Sequence, residues 1–306
     1  MTSFPKHIQI TEVGPRDGLQ NQAKPISTQK KIELINALSQ TGLTTIEATA
    51  FVHPKWVPQL SDADEVFEGI QRVDGVKYTA LVPNEHGWTR ALAAGVDEVA
   101  VLTASTETFC QRNTNTSIDG SIQRLIPIVE HASACGIGVR GYISCVIACP
   151  YEGPTNLSVV RTIVQKMLDM GISTIALGET IGVAVPSDIR RLYDALDGVL
   201  NPSDSVLHLH DTHGNALACA TEAMRCGVLQ FDSSCGGLGG CPYAPGAAGN
   251  LATEDLVSFA HQQGIKTGID FEKLVSASRV IEKVLDCNLR SIAYRTFQDA
   301  QTRPNE

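Results

Sequence analysis

The chain has no long apolar run, no basic stripe and no cysteine framework, and each absence excludes a class of protein. None of its hydrophobic stretches approaches the roughly 20 residues that a membrane-spanning helix needs, so we expect no membrane partner. The formal net charge is -9 and lysine and arginine form no cluster, which argues against nucleic acid as a partner. Nine cysteines, an odd number scattered over 306 residues, predict reduced thiols rather than a disulfide scaffold.

Two further signatures are missing. The glycine-rich stretch 232–250 has neither a Gly-Lys-Ser/Thr end nor the glycine spacing of a nucleotide fingerprint, so we assign no cofactor-binding residues to it. The first residues, Met1 to His7, lead almost at once into a strand-like run. We therefore expect neither a signal nor a transit peptide, and a cytoplasmic location.

Short apolar strands alternate with amphipathic helices along most of the chain. In one helical stretch, for example, Ile32, Ile35 and Leu38 recur one turn apart. Eight strand–helix units predict an α/β fold, a (β/α)8 TIM barrel. A doubly wound sheet is the alternative, but its nucleotide-binding glycine turn is missing after the first strand. The predicted strands are 7–13, 44–48, 77–82, 98–103, 138–144, 174–177, 205–210 and 230–233.

The repeat ends before the chain does. Residues 1–270 are predicted to form the barrel. Residues 271–306 are predicted to form a C-terminal helical extension, with helices in 271–294 and a frayed polar tail after Phe297.

Polar residues stand at most of the predicted strand ends, where a barrel of this kind places its active site. His208 and His210 are two apart on a strand and face the same side. With Asp17 from the first strand and an amide oxygen from Asn250, they would make a site for Mg²⁺ or Mn²⁺, near the carboxylate of Asp211. The alternative is a His-x-His pair that only packs and makes hydrogen bonds.

Further reactive side chains lie beside these predicted ligands. Arg16 could hold a carbonyl or stabilise an enolate oxygen, or it could be a structural ion pair at the rim. Glu47 and Glu12 could orient Arg16 or a metal-bound water, or could be buried structural acids. Cys241 lies in the glycine-rich loop, where an accessible thiol can act as an acid or base. Cys145 and Cys149 have no second pair at zinc-finger spacing and are interpreted, with Cys235, as packing residues.

Four segments together resemble the 3-hydroxy-3-methylglutaryl-CoA lyase family, and the resemblance runs from about Ile8 to about Lys273. The first is Glu-Val-Gly-Pro-Arg-Asp-Gly-Leu-Gln-Asn at 12–21, and the second is Phe-Val-His-Pro-Lys-Trp-Val-Pro-Gln at 51–59. The third is Cys-Pro-Tyr-Glu-Gly at 149–153. The fourth contains Gly-Leu-Gly-Gly-Cys-Pro-Tyr-Ala at 237–244 and continues through Asn250 to Leu256.

The resemblance implies a pyruvate-carboxyltransferase-like catalytic domain that cleaves 3-hydroxy-3-methylglutaryl-CoA to acetyl-CoA and acetoacetate. The family's catalytic and metal-binding positions each match a residue of this chain. Its metal ligands fall on Asp17, His208, His210 and Asn250, and its catalytic residues fall on Arg16, Cys241, Glu47 and His208, the last as a route for the hydroxyl proton. It also implies an acyl-CoA substrate, a homodimer and a place in leucine degradation.

Some positions depart from the family pattern. Glu179 stands where the family often has aspartate, and Ala23 followed by Lys24 stands where it has a lysine that may contact the CoA phosphates. These differences leave open a lyase for a longer-branched 3-hydroxyglutaryl-type acyl-CoA. A 2-oxo acid aldolase or synthase on the same metal site is a further alternative, but such relatives usually lack the loop around Cys241. A non-catalytic barrel that binds acyl-CoA would be expected to have lost a ligand.

Overall fold

A computed structural model describes residues 4–240 and 249–302 of the chain. In this part of the chain, eight parallel strands close into a barrel in the order β1-β2-β3-β4-β5-β8-β9-β10, and a two-stranded hairpin, β6-β7, lies outside it. The predicted TIM barrel is therefore confirmed. The strands are β1 (Gln9–Glu12), β2 (Thr45–Ala50), β3 (Lys77–Leu81), β4 (Glu98–Ala104), β5 (Gly138–Ser144), β6 (Ala148–Cys149), β7 (Gly153–Pro154), β8 (Thr174–Glu179), β9 (Ser205–Leu209) and β10 (Gln230–Ser233).

Helices alternate with the strands and surround the barrel. Many begin and end at residues suited to the place: Asn84 accepts a hydrogen bond from Gly87 N at the start of α3, and Gly95 ends it with a φ of 71°. The helices are α1 (Thr28–Leu38), α2 (Ala63–Gly69), α3 (Glu85–Ala94), α4 (Glu107–Thr114), α5 (Ile118–Ala134), α6 (Leu157–Asp169), α7 (Pro186–Leu196), α8 (Ala216–Cys226), α9 (Thr253–Gln262), α10 (Phe271–Leu285) and α11 (Ile292–Thr302).

The structure differs from the sequence prediction mainly where apolar periodicity is weak. The polar helix α4 and the hairpin β6-β7 were not predicted, and α11 continues to Thr302 where a frayed tail was expected. A buried Tyr294 explains that helix, since its hydroxyl donates to Glu282 Oε2 of α10 over 2.6 Å. The domain boundary at residue 270 stays a prediction; α10, which follows it, packs on α1 and α9.

Two layers of apolar side chains hold the fold. The larger core lies between the strands and the helices, and a smaller cluster lines the barrel interior. The inner cluster contains Leu81, Ala100, Tyr142, Ala176 and Val206. Because these side chains are mostly small, the interior also has room for buried charged groups. No helix of the described residues is long and apolar enough to cross a membrane.

Candidate active site and metal centre

One turn of π-helix, Gly14–Gly18, follows β1 and presents the first site residues. Three successive backbone N–H groups, those of Arg16, Asp17 and Gly18, all donate to Val13 O over 2.8–3.2 Å. Such turns are rare and often occur at functional sites. This one brings both Arg16 and Asp17, which are buried, to the C-terminal mouth of the barrel.

Asp17, His208 and His210 converge at that mouth. One ligand atom from each lies within 4.8 Å of the others. The distance from Asp17 Oδ2 to His208 Nε2 is 3.9 Å, and to His210 Nε2 it is 3.8 Å. The two imidazoles therefore face the same carboxylate, as the spacing in the sequence predicts.

Asn250 completes the group. It pairs with His210 in an isolated β-bridge, and its Nδ2 donates to Asp17 Oδ2 over 2.8 Å. Its Oδ1 is buried without a hydrogen-bond partner in the described structure, and so are both ring nitrogens of His210. Buried polar atoms without partners are costly, and a cation would satisfy them. The donor set therefore fits a divalent cation.

Asp17 is held ionised by its neighbours. Burial alone would raise the pKa of its carboxyl group, but the adjacent Arg16 charge lowers that pKa well below the usual range. For His210, burial opposes the charged form, yet the nearby Asp17 carboxylate raises its pKa above the usual value. An anionic oxygen at this position favours a metal as well as a proton.

Arg16 is fixed by two carboxylates. Its Nε donates to Glu47 Oε1, and its Nη1 donates to Asp17 Oδ1 over 2.6 Å. Burial alone would lower the pKa of Arg16, but the charges of Glu47 and Asp17 raise it above the ordinary value. The guanidinium also lies 5.4 Å from the ring centroid of Tyr142, whose hydroxyl donates to Glu47 Oε2 over 2.7 Å. Arg16 is thus a permanently charged, rigidly held donor beside the candidate metal ligands.

Sequence reasoning missed three polar residues beneath the site, namely Arg140, Tyr142 and Asp232. Arg140 Nη2 donates to Asp232 Oδ1, and Asp232 Oδ2 lies 3.1 Å from His208 Nδ1. Burial would raise the pKa of Asp232, but the Arg140 charge lowers it below the usual value. The available signal was a charge of each sign inside an apolar strand, Arg140 in β5 and Asp232 in β10. Buried charges of this kind need a partner.

Other predicted residues take different places. Asp211 does not reach the metal ligands; its Oδ1 accepts from Ala216 N at the start of α8. Glu12 does not orient Arg16 directly, because its Oε1 accepts from Gly14 N and Cys235 N. Glu179 is buried, which raises its pKa, and its Oε1 accepts from Val183 N.

The cysteines also differ in their places. Cys145, Cys149 and Cys235 are buried in apolar clusters, as their interpretation as packing residues requires. Cys241 lies outside the described residues. The segments on either side of it meet at the site, since Asn250 N donates to Leu238 O over 3.3 Å and Asn21 Nδ2 donates to Gly240 O over 2.8 Å.

Known proteins of one family match this chain over nearly its whole length. The family model described as HMGL-like matches residues 7–281. The mitochondrial hydroxymethylglutaryl-CoA lyase of Bos taurus is 48% identical over 284 residues, which are 93% of this chain and 87% of that protein. The cytoplasmic 3-hydroxy-3-methylglutaryl-CoA lyase of Mus musculus is 43% identical over 97% of this chain and 87% of its own length.

A solved structure agrees in three dimensions. An HMG-CoA lyase from Acinetobacter baumannii, in complex with coenzyme A and 3-methylmalate, matches with a TM-score of 0.93 and 36% identity over 100% of both chains. Sequence and structure thus agree over the strands that form the site as well as over the fold. The chain belongs to the HMGL-like family, the family of the hydroxymethylglutaryl-CoA lyases.

Proposed function

We propose that this protein cleaves 3-hydroxy-3-methylglutaryl-CoA to acetyl-CoA and acetoacetate with the help of a divalent cation. The chain is an enzyme, a lyase that acts on carbon–carbon bonds. The observation that carries the proposal is the convergence of Asp17, His208 and His210 beside Arg16, on a chain 43–48% identical to curated lyases of this substrate. The relatives do not favour the 2-oxo acid alternative.

The reaction removes the proton of the C3 hydroxyl and breaks the C2–C3 bond. The electron pair of that bond passes to C2 and is delocalised onto the thioester oxygen, while C3 becomes the ketone of acetoacetate. A proton added at C2 completes acetyl-CoA. The enzyme must therefore stabilise a negative oxygen, accept one proton and supply another.

Asp17, His208, His210 and Asn250 are the residues that would hold the cation. When bound, a divalent cation lowers the pKa of a hydroxyl group that it holds. The mixed nitrogen and oxygen donor set, with a carboxylate and an amide, suits Mg²⁺ or Mn²⁺ better than a closed structural zinc site. Removal of Mg²⁺ and Mn²⁺ by a chelator, followed by return of each metal alone, would identify the one that supports turnover.

Arg16 is proposed to stabilise the thioester enolate. Its guanidinium is held in place by Glu47 and Asp17 before any substrate binds, so little reorganisation is needed as the charge develops. Glu47 acts by positioning Arg16. Cys241, by resemblance, would supply the proton at C2, and His208 is predicted by resemblance to carry the hydroxyl proton.

The decisive experiment is turnover of 3-hydroxy-3-methylglutaryl-CoA by the purified chain with Mg²⁺ or Mn²⁺, measured as acetoacetate formed. We expect His210→Ala to lose most of its activity, and His86→Ala, an exposed histidine on α3, to keep it. Cys241→Ala should lower kcat, whereas the exposed Cys287→Ala should not. A wild-type chain that is folded, metal-loaded and inactive on this substrate would contradict the proposal.

We further propose a homodimer, a cytoplasmic location and a place in leucine degradation. These statements come from the family resemblance and from the presence of a cytoplasmic lyase among relatives that are otherwise mitochondrial. Light scattering of the purified chain tests the oligomeric state. A mass near 33 kDa, that of one 32.7 kDa chain, would refute the dimer.

A further inference from the structure

The buried Asp232 lies beside His208 because of the sheet register. β10 and β9 are neighbouring parallel strands, and Asp232 and His208 are paired in their ladder. Asp232 is 1% exposed, and its Oδ2 lies 3.1 Å from His208 Nδ1. Since both backbones are fixed by the barrel, this contact is part of the fold and does not depend on substrate.

The carboxylate limits the proton positions on the ring. A carboxylate oxygen can only accept, so the contact requires a hydrogen on His208 Nδ1. A neutral imidazole with Nδ1–H has its lone pair on Nε2, which is the nitrogen that lies 3.9 Å from Asp17 Oδ2. His210 has no carboxylate as close in the described structure: its Nε2 lies 3.8 Å from Asp17 Oδ2.

Arg140 fixes which carboxylate oxygen of Asp232 faces His208. Its Nη2 donates to Asp232 Oδ1, and its Nη1 donates to Thr11 Oγ1 over 3.1 Å, so the guanidinium is anchored on two neighbouring strands. Arginine is donor-only. It therefore demands an acceptor at Oδ1 and leaves Oδ2 as the atom that faces His208.

We propose that Asp232, held by Arg140, is a positioning residue that fixes His208 in the tautomer with its lone pair on Nε2, which makes His208 a ligand of the cation and not the proton acceptor of the reaction. With Nδ1–H donated to Asp232 and Nε2 given to the cation, the ring has no lone pair left for a substrate proton. The hydroxyl proton must then go to another group, so this inference replaces the proton-carrying role that the resemblance gives to His208. The inference rests on the cation site of the proposed function.

Asp232→Asn tests the proposal because it is close in shape but has only one acceptor. The donor-only Arg140 takes the amide oxygen, so the amide NH₂ turns toward His208. His208 Nδ1 must then accept, and the proton moves to Nε2, where it blocks metal binding. We expect Mn²⁺ affinity, measured by electron paramagnetic resonance of free Mn²⁺, to fall about 10- to 100-fold. The matched control is Asp119→Asn, an exposed carboxylate that should bind as wild type does.

A second variant separates positioning from a structural role. In the double variant Asp232→Asn with Arg140→Met, the amide is free to turn its oxygen toward His208 Nδ1. We expect this removal of a second charged group to restore part of the Mn²⁺ affinity that the single variant lost. A merely structural role predicts the opposite, a further loss.

The tautomer itself can be read in the metal-free wild-type chain. Long-range ¹H–¹⁵N spectra of ¹⁵N-histidine protein distinguish Nδ1–H from Nε2–H, and His208→Gln identifies the signal among eight histidines. We expect Nδ1–H at His208. Nε2–H there, or Mn²⁺ affinity of Asp232→Asn within threefold of wild type, would overturn the inference. Failure of the wild type to bind Mn²⁺ would instead overturn the proposed cation site, and the spectrum would still report the tautomer.

Discussion

Glu47→Gln is the sharpest test of how Arg16 is held. Glu47 is fully buried; one carboxylate oxygen accepts from Arg16 Nε and the other from Tyr142 Oη. Glutamine has the same shape but only one acceptor oxygen. Because arginine cannot accept, the amide oxygen must face Arg16, and the amide NH₂ then points at the Tyr142 hydroxyl, which can turn to accept it. The substitution therefore removes a charge and keeps both contacts.

The size of the effect follows from the type of bond. Loss of one partner of a buried ion pair costs about 3–5 kcal/mol, and because both hydrogen bonds and the Asp17 charge remain here, we expect about 1.5–3 kcal/mol. If that free energy no longer holds Arg16 in place, kcat should fall about 10- to 150-fold, at about 1.4 kcal/mol for each factor of ten. The same loss in folding free energy, about 2 kcal/mol, corresponds to a drop in Tm of about 3 °C for a chain of this length.

The assay is acetoacetate formation at saturating substrate, with thermal unfolding followed by circular dichroism. Tyr142→Phe is the matched control, because it removes the other hydrogen bond of Glu47 and keeps the ion pair between the Glu47 carboxylate and Arg16. We expect that variant to keep kcat within about threefold. A Glu47→Gln enzyme with wild-type kcat and a lowered Tm would refute the reasoning, and would show the Arg16–Glu47 pair to be a structural ion pair at the barrel rim.

Three further predictions concern stability and metal binding. Burial raises the pKa of Glu12 from 4.5 to about 8, so the folded state holds a proton that the unfolded chain releases. The contribution of this group to the free energy of unfolding is fully present below about pH 4.5 and is lost as the pH rises through 8. Glu12→Gln should reduce this pH dependence in urea unfolding measured from pH 5 to 9, and an unchanged pH dependence would contradict the prediction. A Cβ at Gly42 would lie 2.2 Å from Gly268 O, whereas one at Gly75 meets nothing within 4 Å, and both have positive φ. Gly75→Ala should cost only the backbone strain of a positive φ, about 1–2 kcal/mol of unfolding free energy, and Gly42→Ala should cost more because of the added clash. Equal melting temperatures of the two variants would contradict this prediction. Asn250→Ala should weaken Mn²⁺ binding, since it removes the amide oxygen that lies buried without a partner; unchanged affinity would exclude it as a ligand.

The fold was predictable because local patterns and tertiary structure agree. Strands β5 and β10 were predicted to the residue. The convergence of Asp17, His208 and His210 was predictable for a second reason: parallel strands end at one rim, so polar residues at strand ends must be neighbours. The HMGL-like match confirms the predicted family, and the closed barrel confirms the predicted fold.

The rest could not be read from the sequence, because it depends on register. Arg140 and Asp232 are 92 residues apart, and their contact requires β5 and β10 to face each other across the barrel at one height. The position of Asp17 depends on a π-helical turn, for which the sequence offers only Pro15 and two glycines. Asp211, at an equally suitable strand end, is instead used by the backbone of α8. Strand-end position therefore predicts a set of candidates, and local hydrogen bonding selects among them.

The two buried arginines share one aromatic ring. Tyr142 contacts both, with its ring centroid 5.4 Å from Arg16 Cζ and 4.9 Å from Arg140 Cζ. Cation–π contact stabilises both guanidinium groups in a space where water is scarce.

The charges around that ring explain why the site suits both a cation and an anionic substrate. Arg16 is matched by Glu47 and Asp17, and Arg140 is matched by Asp232. Two guanidinium charges against three carboxylates leave one net negative charge, which attracts a divalent cation. With the cation bound, the same group carries one net positive charge, the sign needed to hold the free carboxylate of a 3-hydroxyglutaryl substrate. The buried acids thus attract the cation that makes the site positive, and removing any one of the three should weaken cation binding.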